Sequence, residues 1–104
     1  REFLHVDDLA DACLCLLRNH DEDQHINVGC GHDISIAELA RTVRDTVGYE
    51  GKIEWDVTKP DGMPRKLLDI SRVTHLGWSP SIDLEQGLVD TYEWYLANQG
   101  SLRS

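Results

Sequence analysis

The sequence predicts an α/β chain in which short strands alternate with helices, and three observations predict it. Apolar residues recur at helical spacing behind residues able to cap a helix. Short apolar segments bounded by glycine stand between those stretches. After a proline-containing loop the chain returns to helical spacing for its last third.

The elements follow in order. Glu2 to Val6 reads as a short strand, with Phe3, Leu4 and Val6 apolar. Asp7 or Asp8 can cap a helix running to about Asn19, its inward face expected at Leu9, Ala10, Cys13, Leu16 and Leu17. Residues 19–24 form a polar loop, and His25 to Val28 a second short strand closed by Gly29 and Gly31. Ser35 with Glu38 makes a capping box for the next helix. Ile36, Leu39, Ala40, Val43 and Val47 stripe that helix, and Gly48 is placed to end it in a left-handed conformation. Lys52 to Val57 alternates as a half-buried strand does. Residues 59–64 hold two prolines and a glycine, which exclude regular structure. Leu67 to Ile70 is expected to be extended, Ser71 to cap a short helix through His75, and Gly77 to end it. A last helix begins near Asp83, with Gln86 as capping partner and Leu84, Leu88, Tyr92 and Tyr95 along one face.

Few and short strands make a poor independent sheet. We expect some of them to complete a sheet that belongs to an N-terminal region outside this sequence. The chain has no initiator Met and its first apolar segment is under way at Phe3, so a fragment is the expectation. No signal peptide is expected, because Arg1 and Glu2 lead into no apolar h-region.

With 104 residues, 40% hydrophobic and 28% charged, the chain matches one small folded domain rather than a disordered tail. The formal net charge of −9 argues against nucleic acid and anionic membrane as partners. The charge is uneven. Asp21, Glu22 and Asp23 form an acidic run, whereas Lys59, Arg65, Lys66 and Arg72 outnumber Asp61 and Asp69 in one locally basic stretch. An anionic ligand fits there. Cys13, Cys15 and Cys30 are odd in number and lack C-x-x-C spacing, which predicts free thiols in a reducing compartment, with Cys13 in the core.

Four constellations carry possible chemistry. His20, Asp21, Glu22, Asp23, His25, Cys30 and His32 are metal-ligand types without any finger spacing or HExxH, so no metal is expected. Gly29-Cys30-Gly31 follows a strand but lacks the third glycine of a dinucleotide fingerprint, so it reads as a tight turn. No cysteine has a histidine spaced to activate it. The loop from Lys59 to Lys66 is stiffened by proline, and its Lys59, Arg65 and Lys66 can meet a phosphate while Asp61 accepts from hydroxyls.

Taken together, REFLHVDDLADAC, INVGCGHDISIAELA, KPDGMPRKLLDISRVTHLGW and SIDLEQGL-VDTYEWYLANQ, in that order, resemble the C-terminal third of the GDP-L-fucose synthase family. That family lies within the extended short-chain dehydrogenases/reductases. The first two segments are shared with many nucleotide-sugar epimerases and dehydratases, and Lys59 to Asp69 is the specific one. The resemblance implies the C-terminal substrate-binding part of a Rossmann-type fold, with His25–Val28 as a probable edge strand of the Rossmann sheet. It implies conversion of GDP-4-keto-6-deoxy-D-mannose to GDP-L-fucose by C3/C5 epimerisation and NADPH-dependent C4 reduction. The alternatives are another GDP-sugar epimerase or reductase, or a non-catalytic nucleotide-sugar-binding module.

By the same resemblance NADP(H), the Ser-Tyr-Lys triad and the Cys/His acid–base pair belong upstream. No catalytic residue is therefore expected in this chain, and His5 and Cys30 are not assigned such roles. Arg1, Asp61 and Lys66 match the family's substrate-binding positions. Met63 departs from the small polar residue common there. A cytoplasmic homodimer is implied for the full-length protein, and the isolated chain is expected to be inactive and to self-associate through surface that the N-terminal domain would cover.

Overall fold

The computed structural model describes residues 1–60, 62 and 65–102. Four α-helices and one short 3-10 turn make up its regular structure: α1 (Val6–Asn19), α2 (Ile36–Val47), α3 (Ser71–His75), α4 (Leu84–Asn98) and the turn Gln99–Ser101. Among the described residues there is no strand.

The strand expectations at 2–6, 25–28 and 52–57 are thereby corrected for this chain. A strand is stable only when a ladder partner takes up its backbone groups, and short segments without one do not form a sheet. Arg1 and Ile34 exchange a pair of backbone hydrogen bonds, each of 2.8 Å, as one rung of an antiparallel ladder would. No further rung follows. Residues 25–27 are tied to the start of α3 by side chains instead, with Arg72 donating to the His25 carbonyl at 3.3 Å.

The local helix signals hold. Ser35 caps α2 by accepting from the Glu38 N–H at 3.1 Å, and Gly48 ends it at φ 73°. Asp83 caps α4 by accepting from the Gln86 N–H at 2.8 Å, and α4 packs against α2. At α3, Ile70 rather than Ser71 is the capping residue. Its C-terminal end is a Schellman motif: the Gly77 N–H donates to Thr74 and the Trp78 N–H to Val73, with Gly77 left-handed at φ 93°. That turn folds Trp78 back under Val73.

The start and the face of α1 differ from expectation. His5 is its N-cap, its ring Nδ1 accepting from the Asp7 N–H, and Asp8 lies inside the helix as a buried residue. The face turned inward carries Asp8, Ala12, Cys15 and Leu16. Cys13 is exposed, not core, and Leu9 and Leu17 face outward with Leu17 81% exposed. The reason is that the buried side lies at the edge of the apolar face and includes Asp8, which is held by Ser81 and Ile82, so the spacing of apolar residues alone does not select it.

The core is small. Ala12, Val73 and Trp78 are buried, with Leu4, Leu16, Ile26, Val28 and Ile70 packed around them. The radius of gyration is 16.6 Å, against about 13 Å for a compact domain of this length. The outward stripe Val6, Leu9 and Leu17 is therefore expected to drive self-association of the isolated chain. Sedimentation over a range of concentrations checks this, and a monomer at every concentration would refute it.

Candidate functional site

The chain start and the outgoing limb of the basic loop meet at one cleft of about 610 Å³. Arg1, Glu2 and Lys66 stand on its walls, and the rest of the lining is glycine and apolar residues such as Phe3, Leu39 and Leu68. Arg1 is half-buried and Lys66 exposed. The Arg1 guanidinium also reaches the loop itself: a methyl group built on Gly62 would come within 2.7 Å of it. Two of the three expected substrate-binding residues thus share a cleft, although they are far apart in sequence. The third, Asp61, lies outside the described residues.

Glu2 is the residue that sequence reasoning passed over. Its carboxylate accepts from the Cys30 N–H at 2.8 Å, the Gly31 N–H at 3.5 Å and the Leu68 N–H at 3.1 Å. Nothing local announces this, because the partners lie 28, 29 and 66 residues away. The available signal was an acid placed between an Arg and an apolar residue at the start of an otherwise basic site.

Arg65 is committed elsewhere. Its Nε donates to Asp33 Oδ2 at 2.9 Å, so it anchors the loop to the turn after Gly31. Asp69 accepts from the Ser71 backbone at 2.9 Å, and this bond together with one from the Ser71 side chain holds its carboxyl below the usual carboxylate range. Lys59 is exposed. Arg1 and Lys66 are the cations on the cleft wall.

The Gly29-Cys30-Gly31 turn does not fit a dinucleotide. The N–H groups of Cys30 and Gly31, which would face a pyrophosphate, are occupied by Glu2. The Cys30 thiol donates to the His32 carbonyl at 3.0 Å. All three cysteines are free, and among the described residues no three of His, Cys, Asp or Glu converge as metal ligands do. A larger hollow of about 700 Å³ lies between residues 19–24 and α3, but Asp21 and Glu22 there oppose Arg72, so it gathers no net positive charge.

Residues 1–29 match the NAD dependent epimerase/dehydratase family. GDP-L-fucose synthase 1 of Arabidopsis thaliana is 56% identical over 98 residues, covering 94% of this chain and 30% of that protein. GDP-L-fucose synthase of Escherichia coli K12 is 48% identical, covering 99% of this chain and 35% of that protein. The chain is homologous to the C-terminal portion of GDP-L-fucose synthases. It spans about a third of the length of these curated relatives. Among solved structures, a GDP-mannoheptose C4 reductase from Campylobacter jejuni with NADP bound superposes with a TM-score of 0.80 at 38% identity, covering 92% of this chain and 31% of that one. The fucose-synthase relatives and the reductase structure each match more than nine-tenths of this chain. Among the described residues no helix is long and apolar enough to cross a membrane.

Proposed function

We propose that this chain is the substrate-holding part of a GDP-L-fucose synthase, an enzyme that converts GDP-4-keto-6-deoxy-D-mannose to GDP-L-fucose. The observation that carries the proposal is the convergence of Arg1 and Lys66 on one cleft. A diphosphate is well matched by two cations, one able to bind two oxygens through a planar fork and one acting as a point charge. Arg1 and Lys66 supply that pair. Asp61 completes the set by accepting from sugar or base hydroxyl and N–H groups.

The chemistry assigned to this chain is orientation. Holding the GDP end fixes where the 4-keto sugar projects, and the ketone acidifies the protons at C3 and C5 for epimerisation by groups outside this chain. NADPH supplies the hydride for C4 reduction when bound, and since the Gly-x-Gly turn does not fit it, its site belongs to the N-terminal region of the whole protein. In that whole protein, a cytoplasmic homodimer, His25–Val28 becomes an edge strand of the Rossmann sheet. The loose packing of the isolated chain supports this, since its apolar outer stripe then has a covering surface.

The test uses the complete polypeptide that carries this segment. It is expected to oxidise NADPH only with GDP-4-keto-6-deoxy-D-mannose present and to release GDP-L-fucose. Turnover of a different GDP-4-keto sugar alone would favour the related reductases, which the GDP-mannoheptose reductase likeness brings into view. GDP binding without turnover would favour a binding module. Arg1→Ala and Lys66→Ala are each expected to weaken GDP binding about tenfold by calorimetry, the loss of one charge-assisted contact. Unchanged affinity in both refutes the cleft assignment.

A further inference from the structure

We infer that Glu2 is a positioning residue for nucleotide-sugar binding: its carboxylate sets the spacing between Arg1 and Lys66 by holding three backbone N–H groups of two distant segments. This inference rests on reading the cleft as the GDP-sugar site.

A carboxylate is out of place on the wall of a cleft meant for a diphosphate. Like charges at short range repel, and a substrate-facing acid would weaken binding. Glu2 escapes that conflict because its oxygens are already engaged. Oε1 takes the Cys30 N–H at 2.8 Å with the more distant Gly31 N–H at 3.5 Å, and Oε2 takes the Leu68 N–H at 3.1 Å. Hydrogen bonds to an ionised acceptor are the strong class, and successive N–H groups in a turn form an anion-binding concavity.

The turn is shaped for this internal anion. A side chain at Gly29 would collide with Glu2 Oε1, so the absence of a Cβ is what lets the carboxylate approach. Gly31 adopts φ 84°, which side-chain-bearing residues rarely hold, and its N–H meets the same oxygen at 3.5 Å. The Gly-x-Gly pattern therefore serves Glu2.

The clamp acts on both cations. Arg1 precedes Glu2 directly, and its backbone is paired with Ile34. Lys66 stands two residues before Leu68, and its other neighbour Arg65 is tied to Asp33. The outgoing limb of the loop is thus stapled twice to residues 29–33, once through Glu2. Releasing that staple lets the Lys66 limb move away from Arg1.

Two effects with opposite signs make this testable. If Glu2 acted on substrate only through its charge, neutralising it would tighten GDP-sugar binding. If it positions, neutralising it weakens binding. In the complete polypeptide, Glu2→Gln keeps one acceptor oxygen and turns the other into an amide that cannot accept. It is expected to raise KM for the GDP-sugar several-fold while kcat and the KM for NADPH stay within about twofold. Glu2→Ala is expected to raise the GDP-sugar KM about tenfold or more, the loss of a charge-assisted contact or two.

A GDP-sugar KM that is unchanged or lowered in Glu2→Gln, while Arg1→Ala and Lys66→Ala raise it, overturns the inference and leaves the cleft assignment standing. An unchanged KM in Arg1→Ala and Lys66→Ala overturns both. A fall in Tm and kcat with no KM change makes Glu2 merely structural and also overturns it. If Glu2→Ala does not fold, Glu2→Gln decides.

Discussion

Truncating Trp78 to alanine is expected to abolish the cooperative thermal transition of this chain. Trp78 is 4% exposed and, among the described residues, is the one aromatic of the three buried apolar residues, the others being Ala12 and Val73. It joins α1 to α3, because the Schellman turn at Gly77 folds the ring under Val73 while its indole N–H donates to Asp11 Oδ2 at 3.1 Å. Removing a buried Trp costs about 3 to 5 kcal/mol. Small domains hold about 5 kcal/mol at the low end, and a core this sparse belongs there. Trp78→Phe keeps most of the apolar area and loses the bond to Asp11, so it is expected to melt cooperatively with a loss of about 1 to 2 kcal/mol. Circular dichroism against temperature separates the two variants. A cooperative melt of Trp78→Ala near the parent temperature would place the centre of stability elsewhere.

What the sequence disclosed was the local part. Ser35 and Asp83 cap the helices they were expected to cap, because a cap is settled within four residues. Gly48 and Gly77 end their helices for the same reason. What stayed hidden was whatever depends on a distant partner. The strands expected at 2–6, 25–28 and 52–57 are absent among the described residues, because a ladder needs neighbours that these residues do not meet within this chain. The buried face of α1 was misread because it turns on Asp8, whose partners Ser81 and Ile82 lie far along the chain, and apolar spacing does not point to a buried acid.

The site divides along the same line. Arg1 was named from family resemblance and Lys66 from charge order with that resemblance, and the fold brings both to one cleft. Glu2 was not readable, since its partners are on other segments. Gly29 and Gly31 were visible as a turn, but the anion that the turn holds became apparent only once Glu2 was placed beside it.

Asp8 supplies the second large effect, and it too connects segments far apart in sequence. Its carboxylate, 3% exposed, accepts from the Ser81 N–H, the Ser81 hydroxyl at 3.0 Å and the Ile82 N–H at 2.9 Å. It ties the first turn of α1 to the chain entering α4. Asp8→Ala leaves those donors unmatched and is expected to cost about 2 to 3 kcal/mol, lowering Tm by roughly 10 °C or more. Asp8→Asn keeps one acceptor oxygen and is expected to lie between. Burial acts to raise the Asp8 pKa, but the bonds from Ile82 and Ser81 and the nearby His5 outweigh it, so the carboxyl sits below its ordinary value. A depressed folded-state pKa contributes stability that is full above the unfolded value of about 3.9 and is lost as pH falls through the folded one. The parent chain is therefore expected to lose stability as pH drops below about 4, and Asp8→Asn, which cannot titrate there, to lose less over the same interval. Parallel acid-dependent slopes in parent and variant would show that Asp8 is not the group responsible.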